Sequence, residues 1–436
     1  VALGKEVLFM SLTACEKEIF NRILKEELVP ATGCTEPVAI AYAAAAAKKA
    51  LGCEPEVCEA ELSGNIIKNA RCVAVPNTGG LKGIEAAVAA GVVAGRAELA
   101  LDVLSAATGR EEEIRDFLEK RGVSVRPADN DLTFFIRVTV GAGSSRAKAV
   151  IEGFHTNLVL IEKDGIELFR SGAKSNPCCV ADRSMLTVEK IVEFADVADL
   201  AEIREILERQ IAFNSAISEE GLKGDWGANV GKVILKTFGD SPESRLKAVA
   251  AAGSDARMGG CDKPVIIVSG SGNQGITASV PVVEYARQKG ADRERLLRAL
   301  IVADLTTIHQ KTGIGRLSAY CGAVSAGCGA AAGIAYLNGG GYSEIAHTVV
   351  NALAVCSGMI CDGAKPSCAA KIAVAVEAGL LGYAMSLNGK EFLDGEGIVV
   401  KGVDNTIKNI GELASEGMAQ TDKKILSLMT EKRCGR

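Results

Sequence analysis

Cys321–Leu337 reads CGAVSAGCGAAAGIAYL, a helix-length run in which Gly and Ala outnumber every bulkier residue. Such a helix has no stripe of large apolar side chains. It reaches interior packing density only if neighbouring backbones approach it closely. The chain must therefore contain a layer of tightly packed helices. Ala39–Ala47 carries the same signal, and so does Leu81–Ser105, predicted as one long helix opened by Gly79-Gly80. Gly accounts for 48 of 436 residues while aromatics make up only 4%, so small side chains must do much of the core packing. No run reaches the ~18 uninterrupted, strongly apolar residues of a membrane span. Ala39–Ala47 is short and ends at Lys48-Lys49, and Cys321–Leu337 suits a buried helix.

Around these runs the chain reads as an α+β protein. Ser11–Leu28 has amphipathic helical spacing and stops at Pro30. Gly33 marks a turn, and Thr35, Glu36 and Pro37 favour the start of a second helix, Val38–Leu51. Val57–Leu62, Leu132–Val140, Ala147–Gly153, Leu158–Glu162 and Ile166–Phe169 alternate as strands, the last two joined by the hairpin turn Lys163-Asp164-Gly165. After Met185 the pattern is helical throughout: Leu186–Phe213 first, then further helices to Ser427. Three segments are expected: 1–54, N-terminal helices packing with the catalytic domain; 55–185, a smaller α+β domain with a mainly antiparallel sheet; and 186–436, a mostly helical catalytic domain.

A net charge of −5 argues against nucleic-acid binding, which needs a basic face to meet phosphate. Val1–Phe20 places Lys5 and Glu6 early and Glu16, Lys17 and Glu18 late, so no export signal is expected there and a cytoplasmic location follows. In a reducing compartment 14 cysteines do not form a disulfide framework. Some are expected to serve metal or thiol chemistry. Most of Cys15, Cys53, Cys58, Cys72, Cys178, Cys179 and Cys261 are expected to be small buried hydrophobes.

Five cysteines cluster late in the chain: Cys321, Cys328, Cys356, Cys361 and Cys368. None forms the close C-x-x-C pair of a zinc knuckle. Their spacing alone leaves metal ligation and helical packing both open. Local sequence favours ligation at the end of the set. Asp362-Gly363 and Pro366 force a loop between helices, and loop N–H groups and helix starts stabilise thiolate. Cys321 sits beside Gly322 in a similar setting.

Gly270-Ser271-Gly272-Asn273-Gln274-Gly275 follows the β-like run Val265–Val268 and matches the dinucleotide pattern G-x-G-x-x-G. The context expected of that pattern is missing: Pro281 should interrupt the following helix, and no strand–helix alternation surrounds it. An anion-binding nest for a substrate carboxylate is the better functional reading, with a plain helix–helix turn as the alternative. Cys34, before a helix start, has its thiolate favoured by the helix dipole and is a candidate base or nucleophile, or else a buried turn cysteine. His155, His309 and His347 share no metal spacing and are expected to be structural or solvent-facing. Lys311 and Arg316 are read as a solvated helix face, with carboxylate steering as the alternative.

Taken together, PATGCTEP (30–37), SGNIIKNA (63–70), VPNTGG (75–80), GSGNQGITASVPV (270–282), GRLSAYCG (315–322) and GMICDGAKPSCAAKI (358–372) resemble the L-cysteine desulfidase family, relatives of the iron–sulfur L-serine dehydratases. The resemblance implies a [4Fe–4S] cluster on Cys321, Cys361 and Cys368, with one iron left open for substrate. It puts Cys34 on the family's proposed catalytic cysteine. It implies conversion of L-cysteine and water to pyruvate, ammonia and hydrogen sulfide without pyridoxal phosphate. Ser271, Gly272, Asn273 and Gln274 would then hold the substrate carboxylate, and Asn65, Lys68 and Asn69 would line the same pocket. L-Serine deamination and a non-catalytic redox or metal sensor are the alternatives. A small amino-acid substrate and a homo-oligomer are the expected partners. Cys434, near the end of the sequence, is expected to be an incidental thiol, with capping of the open iron as the alternative.

Overall fold

A computed structural model describes residues 12–130, 132–171 and 181–430. The chain opens with α1 (Ala14–Glu27), the short strand β1 (Pro30–Thr32) and α2 (Thr35–Leu51). It continues through β2 (Val57–Leu62), α3 (Gly64–Ala70), α4 (Gly83–Ala94), α5 (Glu111–Lys120) and β3 (Ser124–Pro127). Next come β4 (Phe135–Ala142), β5 (Ser145–Glu152), β6 (Leu158–Lys163) and β7 (Ile166–Arg170). The helical part is α6 (Val188–Val197), α7 (Arg204–Lys223), α8 (Val230–Phe238), α9 (Pro242–Met258), the strand β8 (Pro264–Ile266), α10 (Gly272–Lys289) and α11 (Arg293–Ile314). It ends with α12 (Gly322–Leu337), α13 (Tyr342–Cys356), α14 (Ser367–Leu387), α15 (Val403–Glu412) and α16 (Ala419–Thr430).

The larger sheet has the order β3-β2-β4-β5-β6-β7, with β2 and β3 parallel and every other pair antiparallel. Asp164 and Gly165, both at positive φ, make the tight β6–β7 turn. The helix expected over 81–105 is shorter. It ends at Ala94, because Gly95 turns to extended backbone, and a 3-10 segment follows at Ala97–Asp102.

The segment 1–54, expected to pack as one piece with the helical domain, divides between two cores. Phe20, Ile23 and Leu24 of α1 join the large helical core. Val38–Ala47 of α2 instead lie in the core formed by the sheet with α4. An Ala-only helix face has no polarity to direct it, so α2 packs where backbone access is closest. Gly91 of α4 supplies that access, since a Cβ there would fall 2.3 Å from the Ala41 carbonyl oxygen. The same device builds the helical core around α12. Cβ atoms on Gly327 and Gly329 would meet the carbonyl oxygens of Ala375 and Ala303 at 2.5 and 2.4 Å.

Among the described residues one helix, α14, is long and apolar enough to cross a membrane by length and composition; here it packs against α9, α12 and α13. Pro281 does not interrupt α10, which runs through it to Lys289. The hydrogen bond that Pro281 removes is a local loss, outweighed by packing of the almost wholly buried turns on either side. A strand and a helix thus do flank Gly270–Gly275, but β8 pairs only with β1, antiparallel, so no parallel dinucleotide-binding unit surrounds the loop.

Candidate active site

The β1–β8 pair positions the first part of the site. Its antiparallel register sets Ala31 opposite Val265, so β1 leads into α2 from one end of the short ladder and β8 leads towards α10 from the other. Gly33, at φ +66°, makes the turn after β1, where a Cβ would strike the Pro76 ring. Cys34 then caps α2 and Ser271 caps α10. The Thr35 hydroxyl donates to the Gly270 carbonyl across 3.2 Å, locking the two helix starts together.

A second juncture fixes the late cysteines. The Cys321 N–H donates to the Met359 carbonyl at 3.0 Å, and the Cys361 N–H to the Ala319 carbonyl at 2.6 Å. These bonds form a small antiparallel bridge between Tyr320 and Ile360, which places Cys321 and Cys361 in direct interaction. Beyond it the loop turns at Gly363 (φ +93°), where a Cβ would lie 2.1 Å from the Lys68 carbonyl oxygen of α3. Lys365 and Lys371 both pair with Asp362 and hold the loop's shape. Cys368 follows in the first turn of α14.

The two junctures enclose a cavity of about 100 Å³, lined by Cys34, Glu36, Asn69, His155, Arg257, Ser271, Asn273, Gln274, Lys311, Arg316, Cys321, Cys361 and Cys368 among others. All four singled-out cysteines therefore face one space. Asn65 and Lys68 are not among the lining residues. Lys68 is buried beside the cavity, donating to the carbonyl of the lining residue Ser318 and to Asp422 of α16. Cys328 and Cys356 stay in the helical core, Cys328 against the Val349 carbonyl. Cys15, Cys53 and Cys72 are exposed, not buried as expected, while Cys58 and Cys261 are buried. Cys178, Cys179 and Cys434 lie outside the described residues.

The electrostatics reverse one expectation. The Cys34 thiol is not held as a thiolate by the helix dipole. Burial, followed by the charge of Glu36, pushes its pKa well above the ordinary thiol range, and its Sγ donates to Glu36 Oε2 at 3.1 Å. Glu36 is the ionised partner. Burial alone would raise its pKa, but His155, the Cys34 thiol and its own backbone N–H bring it down to about 2. Asn69 adds a hydrogen bond to Oε1 at 3.1 Å, and His155 Nε2 lies 3.8 Å from the same oxygen. Hydrogen bonds to a charged group are worth roughly 1.5–3 kcal/mol each, enough together to offset the several kcal/mol that burying one carboxylate costs.

His155, expected to be structural or solvent-facing, is thus a buried cavity residue. Phe134 holds its ring edge-to-face at 4.8 Å. Lys311 and Arg316, read as a solvated helix face, also reach the cavity. Lys311 is buried, and burial pulls its pKa down to about 8 against the opposing charge of Cys361 and Cys321. Glu36, His155 and Arg257 were not singled out from sequence for chemistry. A carboxylate two residues after Cys34, at the start of an otherwise apolar helix, was the available signal for Glu36.

The donor set fits the cluster that the resemblance implies. Each of the three thiols receives a backbone N–H: Cys321 from Ala323, Cys361 from Gly363, Cys368 from Lys365. Such bonds are how proteins tune cluster sulfurs. The Cys361 thiol is the most acidic of the three, lowered first by a hydrogen bond from Cys321 and then by Lys68, Gly363 and Lys371. Among the described residues no three Cys, His, Asp or Glu side chains close on one point as they would around a single ion. A multi-iron cluster instead spreads its thiolates over separate irons.

Comparison with known proteins adds to this geometry. The profile of the serine dehydratase alpha chain matches residues 84–427. A UPF0597 protein of Desulfitobacterium hafniense (strain Y51) is 54% identical over 414 residues, covering 94% of this chain and 96% of that protein. UPF0597 proteins of Lachnoclostridium phytofermentans and Treponema denticola are 48% and 45% identical, over 93% and 96% of this chain and 98% and 99% of their own lengths. With its cavity built from segments inside and outside that match, the chain belongs to the serine dehydratase alpha chain family.

Proposed function

We propose that this protein is a [4Fe–4S]-dependent lyase, an L-cysteine desulfidase that converts L-cysteine and water to pyruvate, ammonia and hydrogen sulfide. One observation carries the reading: Cys321, Cys361 and Cys368 line the same small cavity as the Cys34–Glu36 pair and the Ser271–Gln274 loop. Three cysteine ligands would hold the cluster and, when bound, it would supply a Lewis-acid iron for the departing sulfur.

The chain's own residues supply the rest. The start of α10 binds the carboxylate end of the amino acid through its first-turn N–H groups. This fixes the Cα–H bond relative to Cys34, whose neighbour Thr35 is tied to Gly270. In the resting site the shared proton lies on Cys34 and Glu36 is ionised, so Cys34 takes the proton removed from Cα as its own thiol proton passes to Glu36. As that proton leaves, the Cβ–S bond breaks and hydrosulfide departs with the electron pair. The remaining aminoacrylate tautomerises and is hydrolysed to pyruvate and ammonia. Buried Lys311 offsets negative charge on the thiolate side of the cavity.

The family description favours a second reading, deamination of L-serine by the same elimination with the hydroxyl oxygen departing. Anaerobic reconstitution with iron and sulfide, then assay of each amino acid, separates the two. Pyruvate with equimolar sulfide from L-cysteine, at a kcat/KM above that for L-serine, is the expected result. A preference for L-serine transfers the assignment to the second reading, and turnover of neither sinks both.

A further inference from the structure

Among the cationic side chains in or beside the cavity, Arg316 pairs with Glu27 at 3.0 Å and Lys68 pairs with Asp422, while Lys311 lies on the side of Cys361 and Cys321. Arg257, at the end of α9, is different. It is 3% exposed. Its guanidinium donates from Nη1 to Asn273 Oδ1 at 3.1 Å, its Nε is buried without a partner, and no carboxylate pairs with it among the described residues. A guanidinium is always charged, and leaving such a charge buried and unpaired costs several kcal/mol. A protein keeps that cost where an anion arrives to offset it.

The position of Arg257 defines the anion. A Cβ on Gly272 would fall 2.4 Å from the guanidinium Nε and 2.8 Å from Cζ. The planar group therefore lies across the backbone at the first turn of α10, where only glycine fits. Among the described residues the N–H groups of Gly272, Asn273 and Gln274 have no backbone acceptor there. The buried, unpartnered cation and the start of an 18-residue helix thus converge on one point. A planar guanidinium beside convergent N–H donors matches a carboxylate.

We propose that Arg257 is the side chain that recognises the α-carboxylate of a small α-amino acid, with Asn273 holding the guanidinium in place. The inference rests on the proposed reading of this cavity as an amino-acid site. It adds that the free carboxylate is an obligatory recognition element, so that amines and amides of the same size are excluded.

L-Alanine, which has no leaving group, and L-alaninamide are the probes, titrated calorimetrically into anaerobically reconstituted protein. The native protein is expected to bind L-alanine at least tenfold tighter than the amide. Arg257→Gln should abolish that preference and Arg257→Lys should retain part of it. Gly272→Ala, which drives a methyl group into the guanidinium, should weaken the preference at least threefold and serves if Arg257→Gln does not fold. A folded Arg257→Gln or Gly272→Ala protein that keeps the full preference overturns the assignment, as does a native protein with none. Arg257-dependent carboxylate preference in a protein that turns over neither L-cysteine nor L-serine leaves this assignment standing while the desulfidase reading falls.

Discussion

The Cys34 thiol donates to Glu36 Oε2 across 3.1 Å at the first turn of α2, and both groups are buried. Their proximity makes the pair one acid–base unit. Glu36→Gln removes the proton acceptor while keeping shape, and Cys34→Ala removes the group facing the cavity. Each is expected to lower kcat by about 10²–10⁴-fold, the range general acid–base groups supply, with iron content unchanged. Native turnover in either variant would remove the pair from the reaction.

An ion pair between buried Lys68 of α3 and partly buried Asp422 helps to hold α16 in place. The Lys68 side chain is 1% exposed and its Nζ meets Asp422 of α16. Removing one partner of a buried pair costs ~3–5 kcal/mol because the other charge remains. Asp422→Asn should therefore destabilise the cluster-free protein to denaturant by that order, and Lys68→Met/Asp422→Leu by much less. Equal stability of native and Asp422→Asn proteins would contradict that role of the ion pair.

Asp304 of α11 gives a pH-dependent prediction. It is fully buried, takes one hydrogen bond from Gln210 at 2.9 Å, and leaves its second oxygen without a partner. Burial pushes its pKa up to about 7 against the opposing Gln210 bond. The folded state thus holds the proton more tightly than the unfolded state. The stability this gives is fully present below the unfolded pKa and is lost as pH rises through about 7. Asp304→Asn should remove this contribution, a few kcal/mol. The variant's melting temperature should fall less than the native protein's between pH 4.5 and pH 8, each an assay condition spanning about the titration. Parallel pH profiles would contradict the burial argument.

Gly275 lies where α10 crosses β8, and a Cβ there would fall 2.0 Å from the Ile266 carbonyl oxygen. Gly275→Ala must push backbone against backbone. A loss of about 1–3 kcal/mol in unfolding free energy is expected, with weakened amino-acid binding because the start of α10 shifts. An unchanged denaturation midpoint would show that the crossing relaxes without cost.

What sequence disclosed was the local part of this site. Cys34, the Ser271–Gln274 loop and the three late cysteines announce themselves through glycines that turn the chain beside them: Gly33, Gly270 and Gly363, all at positive φ. The helical core was legible because Gly/Ala runs permit only close packing. Residues whose role arises from distant convergence were not legible. His155 sits on the β5–β6 connection and meets Glu36 only because α2 packs on the sheet. Arg257 closes an ordinary-looking helix end, and its unpaired state exists only once α9 and α10 are side by side. Lys68 failed in the opposite direction: its motif neighbour Asn69 faces the cavity, while Lys68 itself turns to α16, and motif membership does not distinguish the two faces of α3.

Iron and acid-labile sulfide content after anaerobic reconstitution, compared across single Cys→Ser variants, tests the central claim most directly. Cys321→Ser, Cys361→Ser and Cys368→Ser should each lose the cluster together with sulfide and pyruvate production, while Cys328→Ser and Cys356→Ser, whose thiols lie in the helical core, should keep both. A full cluster in any of the first three, or its loss in either of the last two, would contradict the three-cysteine site.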